Sequence, residues 1–159
     1  MAAVIGQQAP DFSLFNTAKQ KVTLSELRGQ NVVLLFFPMA FTSVCTAELC
    51  HVRDNIARFN ELDATVLGIS VDSPFTLAKF KEDQSLNFDL LSDFNKEVSA
   101  VYGALYPEFV MELRGVAKRA AFVLDAAGIL QHAEVLENAG EQPDFQKIEA
   151  ALEKISASV

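Results

Sequence analysis

Cysteine is scarce in this sequence, with two among 159 residues, Cys45 and Cys50. Two thiols are too few for the disulfide framework of a small secreted scaffold, and in a reducing compartment cysteines are catalytic, metal-binding or simply buried. Basic residues are the minority charge, 13 Lys and Arg against 21 Asp and Glu, for a net charge of −8. An acidic surface repels phosphate backbones and anionic bilayers, which argues against nucleic acid or a membrane surface as partner. No apolar run approaches the roughly 18 residues of a membrane span. The start, "MAAVIGQQAPDF", has neither the basic opening nor the long apolar core of a secretory signal, so the expected location is cytoplasmic. Repeats, low-complexity tracts and long Pro/Gly/Ser linkers are also missing, and residues 1–159 are expected to form one domain. With 50% hydrophobic and 21% charged residues, the chain is able to bury a core.

What is present alternates in period. After the polar turn "NTAKQK", "VTLSELRGQN" predicts a short helical turn capped by Ser25 and ended by Gly29. "NVVLLFF", Asn31 to Phe37, is an unbroken apolar run closed by Pro38, as expected of a strand buried on both faces. From Ser43 to about Leu62, Leu49, Val52, Ile56 and Phe59 recur at helical steps, with Thr42 or Ser43 as N-cap. "ATVLGISVD" predicts a second strand, and "SPFTLAKFKEDQ" a helix with Ser73 as cap and Pro74 in its first turn. "FDLLSD" predicts a short strand and "NKEVSAVYG" a short helix stopped by Gly103. "RAAFVLDAAGILQHAEVL" predicts a hairpin turned at Asp125 to Gly128, and a last amphipathic helix runs from about Pro143 to Ser156. This order predicts an α/β sandwich, a mixed sheet with helices on both faces.

Both cysteines fall in the helix that follows the first buried strand. Cys45 lies in its first turn, where free backbone N–H groups and the positive end of the dipole favour an anion such as a thiolate. That makes Cys45 the candidate nucleophile. Cys50 is deeper in the helix, where the dipole's influence has faded. On an ideal helix the two are roughly 140° apart around the axis and about 7.5 Å apart along it. Bridging them by a disulfide requires this stretch to unwind, because Cα atoms more than about 7 Å apart do not bridge.

The arrangement P-x-x-x-T-x-x-C formed by Pro38, Thr42 and Cys45 after a buried strand resembles the active-site signature of the peroxiredoxins. The similarity runs through nearly the whole chain, in "GQQAPDFSL", "LSELRGQNVVLLFFP", "GISVDSPF", "FDLLSDFNKEVSAVYG" and "KRAAFVLDAAGIL". The resemblance implies a thioredoxin-like fold and reduction of a hydroperoxide by attack of a cysteine thiolate on a peroxide oxygen. It implies that Cys45 is the peroxidatic cysteine, that Thr42 contacts the peroxide through hydroxyl and backbone, and that Pro38 shields the pocket. Arg119 matches the arginine behind the cysteine, and Glu48 an acidic position that pairs with such an arginine. No metal and no organic cofactor is implied; the partners are the peroxide and thioredoxin or a similar thiol reductant. The C-x-x-x-x-C spacing resembles the group of bacterioferritin comigratory protein, in which the second cysteine, here Cys50, resolves the first through local unfolding. The flanking "AFTSVCTAEL" resembles the one-cysteine alkyl hydroperoxide reductase E group, so the role of Cys50 stays open.

Plainer roles stand beside these. Cys50 fits a helix core residue without redox part. Arg119 fits an ordinary strand-end charge, with Arg114 and Lys118 close by in sequence. His51 and His132 with the cysteines lack the closed tetrahedral spacing of structural zinc. Phe36, Phe37, Phe41 and Phe109 are expected as core and pocket wall, with Phe41 half exposed. "YPEFVMELRG" has no clear period and fits either a flap or a homodimer contact. As function, a one-cysteine peroxidase and a redox-sensing binding module are the alternatives. A general disulfide oxidoreductase is disfavoured by the absence of a C-x-x-C pair.

Overall fold

The computed structural model describes residues 3–157. In chain order its strands are β1 (Ser13–Asn16), β2 (Lys21–Thr23), β3 (Asn31–Phe36), β4 (Ala64–Ser70), β5 (Asp89–Ser92), β6 (Leu105–Tyr106), β7 (Val116–Ala117), β8 (Arg119–Leu124) and β9 (Leu130–Leu136). The helices are α1 (Ser43–Asp54), α2 (Ile56–Glu61), α3 (Pro74–Asp83), α4 (Glu97–Val101) and α5 (Phe145–Ala157), with 3-10 turns at Leu24–Leu27 and Val110–Glu112. Seven strands form one mixed sheet in the order β2-β1-β5-β4-β3-β8-β9, while β6 and β7 pair separately.

The apolar run of β3 is the sheet's centre, parallel to β4 and antiparallel to β8. All six of its residues are buried. Alternate side chains point to opposite faces of a strand. Val33 and Leu35 join a core with Leu49, Val52, Leu77, Phe80, Ile148 and Leu152 from α1, α3 and α5. Val32, Leu34 and Phe36 join a second core with Phe12, Val98, Tyr102 and Phe122. The chain is therefore the expected mixed α/β sheet covered on both faces, a thioredoxin-like architecture.

Local chemistry explains several element ends. Ser73 Oγ accepts the Thr76 N–H at 3.1 Å and starts α3, with Pro74 at its first position. Gly103 ends α4 with φ +70, a left-handed backbone that glycine adopts without Cβ strain. The β8–β9 turn closes on Asp125, whose backbone N–H donates to Ile129 O at 3.0 Å.

Three expectations need correction. The helix predicted over 43–62 is two helices: Asn55, with φ of −117° and ψ of 17°, leaves helical conformation, ending α1 and preceding α2, while its side-chain Nδ2 donates to His51 O at 2.8 Å. Ser25 caps nothing; Thr23 holds the N-cap position, and the Ser25 N–H donates to Asp11 Oδ1 at 2.9 Å. Phe109 belongs to neither core cluster and stacks on Tyr106 at 5.1 Å between centroids. Its surrounding segment is a 3-10 turn in which Met111 and Glu112 take φ of 57° and 60°.

Candidate active site

The segment between β3 and α1 leaves the sheet at the carboxyl ends of its parallel strands. Pro38 is buried there and the chain turns through Phe41, whose φ of 67° is unusual for a bulky side chain. Asp72, at the carboxyl end of the neighbouring β4, pins this turn. Its Oδ2 accepts the Ala40 N–H at 2.8 Å and the Ser70 hydroxyl at 2.6 Å. Phe41 is 51% exposed and packs edge-on against Phe80 at 5.2 Å.

Thr42 occupies the N-cap position of α1 with extended backbone, yet its hydroxyl makes no cap. The hydroxyl donates instead to Met39 O at 2.7 Å. With its proton committed, the exposed oxygen keeps lone pairs free to accept a hydrogen bond. Cys45, the third residue of α1, is buried to 1% exposure and belongs to the same core cluster as Val33 and Leu35 of β3.

Arg119, the first residue of β8, reaches that sulfur from the antiparallel neighbour of β3. Its Nη2 donates to Cys45 Sγ at 3.3 Å, and its Nη1 to Glu48 Oε1 at 2.6 Å. Both Nη2 and Nε also donate to Ala139 O, at 2.8 and 3.3 Å. Cys45 and Glu48 are three residues apart on α1, so they share a face and meet one planar guanidinium together. Neither Arg114 nor Lys118 takes this place; Lys118 Nζ pairs with Glu137 Oε1 at 2.7 Å.

The charges are unequal. One guanidinium faces two acids, and Glu48 is fully buried with Oε2 lacking a hydrogen-bond partner among the described residues. Burial pushes the Glu48 carboxyl up to about 7, although Arg119 opposes the shift. Burial alone acts to lower the Arg119 guanidinium, but the Glu48 carboxylate and the Cys45 sulfur outweigh it and hold the cation firmly protonated. The Cys45 sulfur thus faces a permanent positive charge across a hydrogen bond.

Cys50 is elsewhere. Helix α1 runs unbroken through both cysteines, which are both free thiols. Cys50 is half-buried and its Sγ donates to Gln84 Oε1 at 3.4 Å, beyond the end of α3. His51 stacks on Phe145 with centroids 4.3 Å apart. Among the described residues no three His, Cys, Asp or Glu side chains gather closely enough to hold a metal ion. A groove of about 620 Å³ lined by Phe12, Phe15, Phe75, Phe94 and Tyr102 shares no residue with the Cys45 cluster.

Pro38, Thr42, Cys45, Glu48 and Arg119, all singled out in the sequence, thus come to one end of β3 and β8, and Cys50 does not. Asp72 and the Ala139 carbonyl were not anticipated. Asp72 was open to discovery, since parallel β3 and β4 place "ISVD" beside "FFPMA". A backbone carbonyl carries no side-chain signature.

The chain is similar to known proteins over most of its length. The AhpC/TSA family profile matches residues 5–133. The chain is 39% identical over 156 residues to alkyl hydroperoxide reductase E of Mycobacterium tuberculosis, covering 96% of this chain and 98% of that protein. It is 37% identical over 128 residues to peroxiredoxin Bcp of Escherichia coli, covering 80% of this chain and 82% of that one. The crystal structure of peroxidoxin BcpB from Mycobacterium tuberculosis superposes with a TM-score of 0.82 at 31% identity, covering 98% and 97% of the two chains.

Proposed function

Because the chain belongs to the AhpC/TSA family and is a peroxiredoxin, an enzyme that reduces peroxides at a thiol, we propose that residues 1–159 form one peroxidase domain in which Cys45 is the peroxidatic cysteine. The observation that carries this assignment is the buried Cys45 sulfur held at 3.3 Å from Arg119 Nη2, with Glu48 and Ala139 fixing the arginine. Its substrates are hydrogen peroxide and organic hydroperoxides. A relative named alkyl hydroperoxide reductase E supports the organic class.

The thiolate attacks the nearer peroxide oxygen. An S–O bond forms, the O–O bond breaks, and the leaving oxygen departs as water or alcohol once protonated, leaving Cys45 as a sulfenic acid. Fixed donors and cations count most where charge develops, here on the leaving oxygen. Thr42 Oγ, its proton held by Met39, orients the peroxide by accepting its O–H, and the buried Pro38 keeps bulk water from the sulfur.

Cys50 then condenses with the sulfenic acid. The S–O bond breaks, an S–S bond forms, and the hydroxyl leaves with the Cys50 proton as water. A dithiol protein of the thioredoxin type reduces this disulfide by exchange and is itself oxidised. A cytoplasmic setting, in which the thiols rest reduced, fits this cycle. Helix α1 must unwind for it. The one-cysteine cycle is the alternative, favoured by the unbroken α1 and by the Cys50 contact to Gln84.

One equivalent of hydrogen peroxide, followed by thiol counting and peptide mass spectrometry, decides between them. A linked Cys45–Cys50 peptide is the expected product. Cys45 oxidised alone, trappable as sulfenic acid, would establish the one-cysteine cycle, and no rapid loss of thiol would overturn the assignment of Cys45.

A further inference from the structure

Three hydrogen bonds fasten the second half of α1 to the loop that leaves α3. Cys50 Sγ donates to the side-chain Oε1 of Gln84 at 3.4 Å. One turn later Arg53 Nη1 donates to the main-chain O of the same Gln84 at 2.5 Å. Asn87 Nδ2 closes the set by donating to Arg53 O at 3.2 Å. Gln84 is itself placed rigidly. It is the C-cap of α3, its N–H bonded to Phe80 O at 3.0 Å, and Phe80 is fully buried.

A single residue thereby holds Cys50 and the next turn of α1 at once. The contacts lie away from Arg119 and Thr42, so they contribute nothing to the attack on peroxide. They oppose the movement that brings Cys50 to Cys45, because that movement unwinds the stretch they tie down. Local opening of a helix costs the free energy of the contacts broken in it, and an opening in an otherwise intact protein is governed by few such contacts.

We propose that Gln84 is a positioning residue for disulfide formation, a latch that keeps Cys50 on α1 and whose release sets the rate at which Cys50 reaches the Cys45 sulfenic acid. The inference rests on the assignment of Cys50 as resolving thiol. Each latch bond lost speeds only the second half of the cycle, in which sulfenic acid and thiol give disulfide and water.

The test is a stopped-flow comparison of the unsubstituted protein with Gln84→Ala and Gln84→Glu, following sulfenic acid formation and disulfide formation as separate phases after one equivalent of hydrogen peroxide. Gln84→Ala removes the acceptor of the Cys50 thiol and is expected to speed disulfide formation about fivefold, the worth of one net hydrogen bond. Sulfenic acid formation is expected to stay at the unsubstituted rate, which general destabilisation would not spare. Gln84→Glu keeps an acceptor oxygen and is expected to return the second phase to the unsubstituted rate or below it. Equal second-phase rates in all three proteins would overturn the latch and leave the resolving role of Cys50 standing. A failure of all three to form the disulfide would overturn the resolving role itself, and the latch with it. Should Gln84→Ala unfold, alkylation of Cys50 by iodoacetamide in Cys45→Ser and in Cys45→Ser/Gln84→Glu reads the same contact; a rate unchanged or lowered by the glutamate is expected, and a rate raised by it would overturn the latch.

Discussion

Arg119 does three things with one side chain, and each needs a different edge of the guanidinium. Nη2 faces the Cys45 sulfur, Nη1 the Glu48 carboxyl, and Nε with Nη2 the Ala139 carbonyl. Arg119→Met leaves Glu48 buried without its cation, a loss of about 3 kcal/mol or more in urea denaturation, and leaves the sulfur without its donor. The second-order rate of Cys45 oxidation, read by stopped flow, is expected to fall by about 100-fold; a rate within twofold of the unsubstituted protein would contradict the role given to the arginine. Glu48 makes a separate prediction about pH. Its carboxyl sits near 7 in the folded protein against 4.5 as the ordinary value, burial being the cause. Between those values the folded state holds a proton that the unfolded state has released. Its contribution to stability is therefore fully present below about pH 4.5 and lost as pH rises through about 7. Glu48→Gln cannot titrate, so the stability of the native chain relative to this variant is expected to fall by roughly 3 kcal/mol between pH 4.5 and 7.5. A difference that stays flat in urea titrations across that range would show that Arg119 holds the carboxylate ionised throughout. At this scale the sequence was most informative where a spaced set of side chains forms a motif, as with the proposed site residues Pro38, Thr42 and Cys45. It was silent on Ala139, which acts through its main chain, and on Gln84, an ordinary surface type whose meaning comes only from what α1 presents to it.

At the scale of elements, the decisive feature is the junction of β3, β4 and α1. Apolar runs made β3 and β4 legible, because strands buried on both faces have no reason to alternate. The helix that follows was legible in period but not in length. Its apolar spacing continues past Asn55, and the break is one residue leaving helical backbone angles there, which periodicity does not record. The short β6–β7 pair was not legible, since two-residue strands give no pattern. Asp72 joins two elements that the sequence separates by 32 residues, holding Ala40 N–H with one oxygen. Asp72→Ala frees both that N–H and the Ser70 hydroxyl. We expect a stability loss of about 1–3 kcal/mol and Cys45 oxidation slowed by about tenfold, as a catalytic turn that is no longer pinned spends less time in register. Equal oxidation rates for Asp72→Ala and the unsubstituted protein, measured under conditions where both are folded, would assign Asp72 to stability alone.

The whole molecule is two cores sharing one sheet, and the cysteine proposed as peroxidatic belongs to one of them. Cys45 packs in the same cluster as Leu49, Phe80, Leu90 and Leu152, so the site is an edge of the core itself. Most of the acidic residues stay at the surface, with Glu48 and Asp93 the buried exceptions. A close approach of core side chains to backbone occurs at Gly68, in the middle of β4. A Cβ there would stand 2.7 Å from Leu90 Cδ2, 3.4 Å from Phe37 Cε1 and 3.6 Å from Phe88 Cε2. Leu90 comes from the parallel neighbour β5 and is directly opposite Gly68 in the register. The absent side chain is thus what lets Leu90, Phe37 and Phe88 close the layer beneath α3. Protein interiors answer an added methyl by shifting rotamers or backbone, at a cost of about 1–3 kcal/mol. For a chain of this length each kcal/mol moves the thermal midpoint by roughly 2–4 °C. Gly68→Ala is therefore expected to lower the midpoint by roughly 3–10 °C in calorimetry, while Cys45 oxidation well below the transition keeps its rate because Gly68 and its three neighbours make none of the hydrogen bonds among Cys45, Glu48 and Arg119. An unchanged midpoint would mean that Leu90 has a vacant rotamer to take, and that the close approach across β4 and β5 is a convenience of packing rather than a condition of the fold.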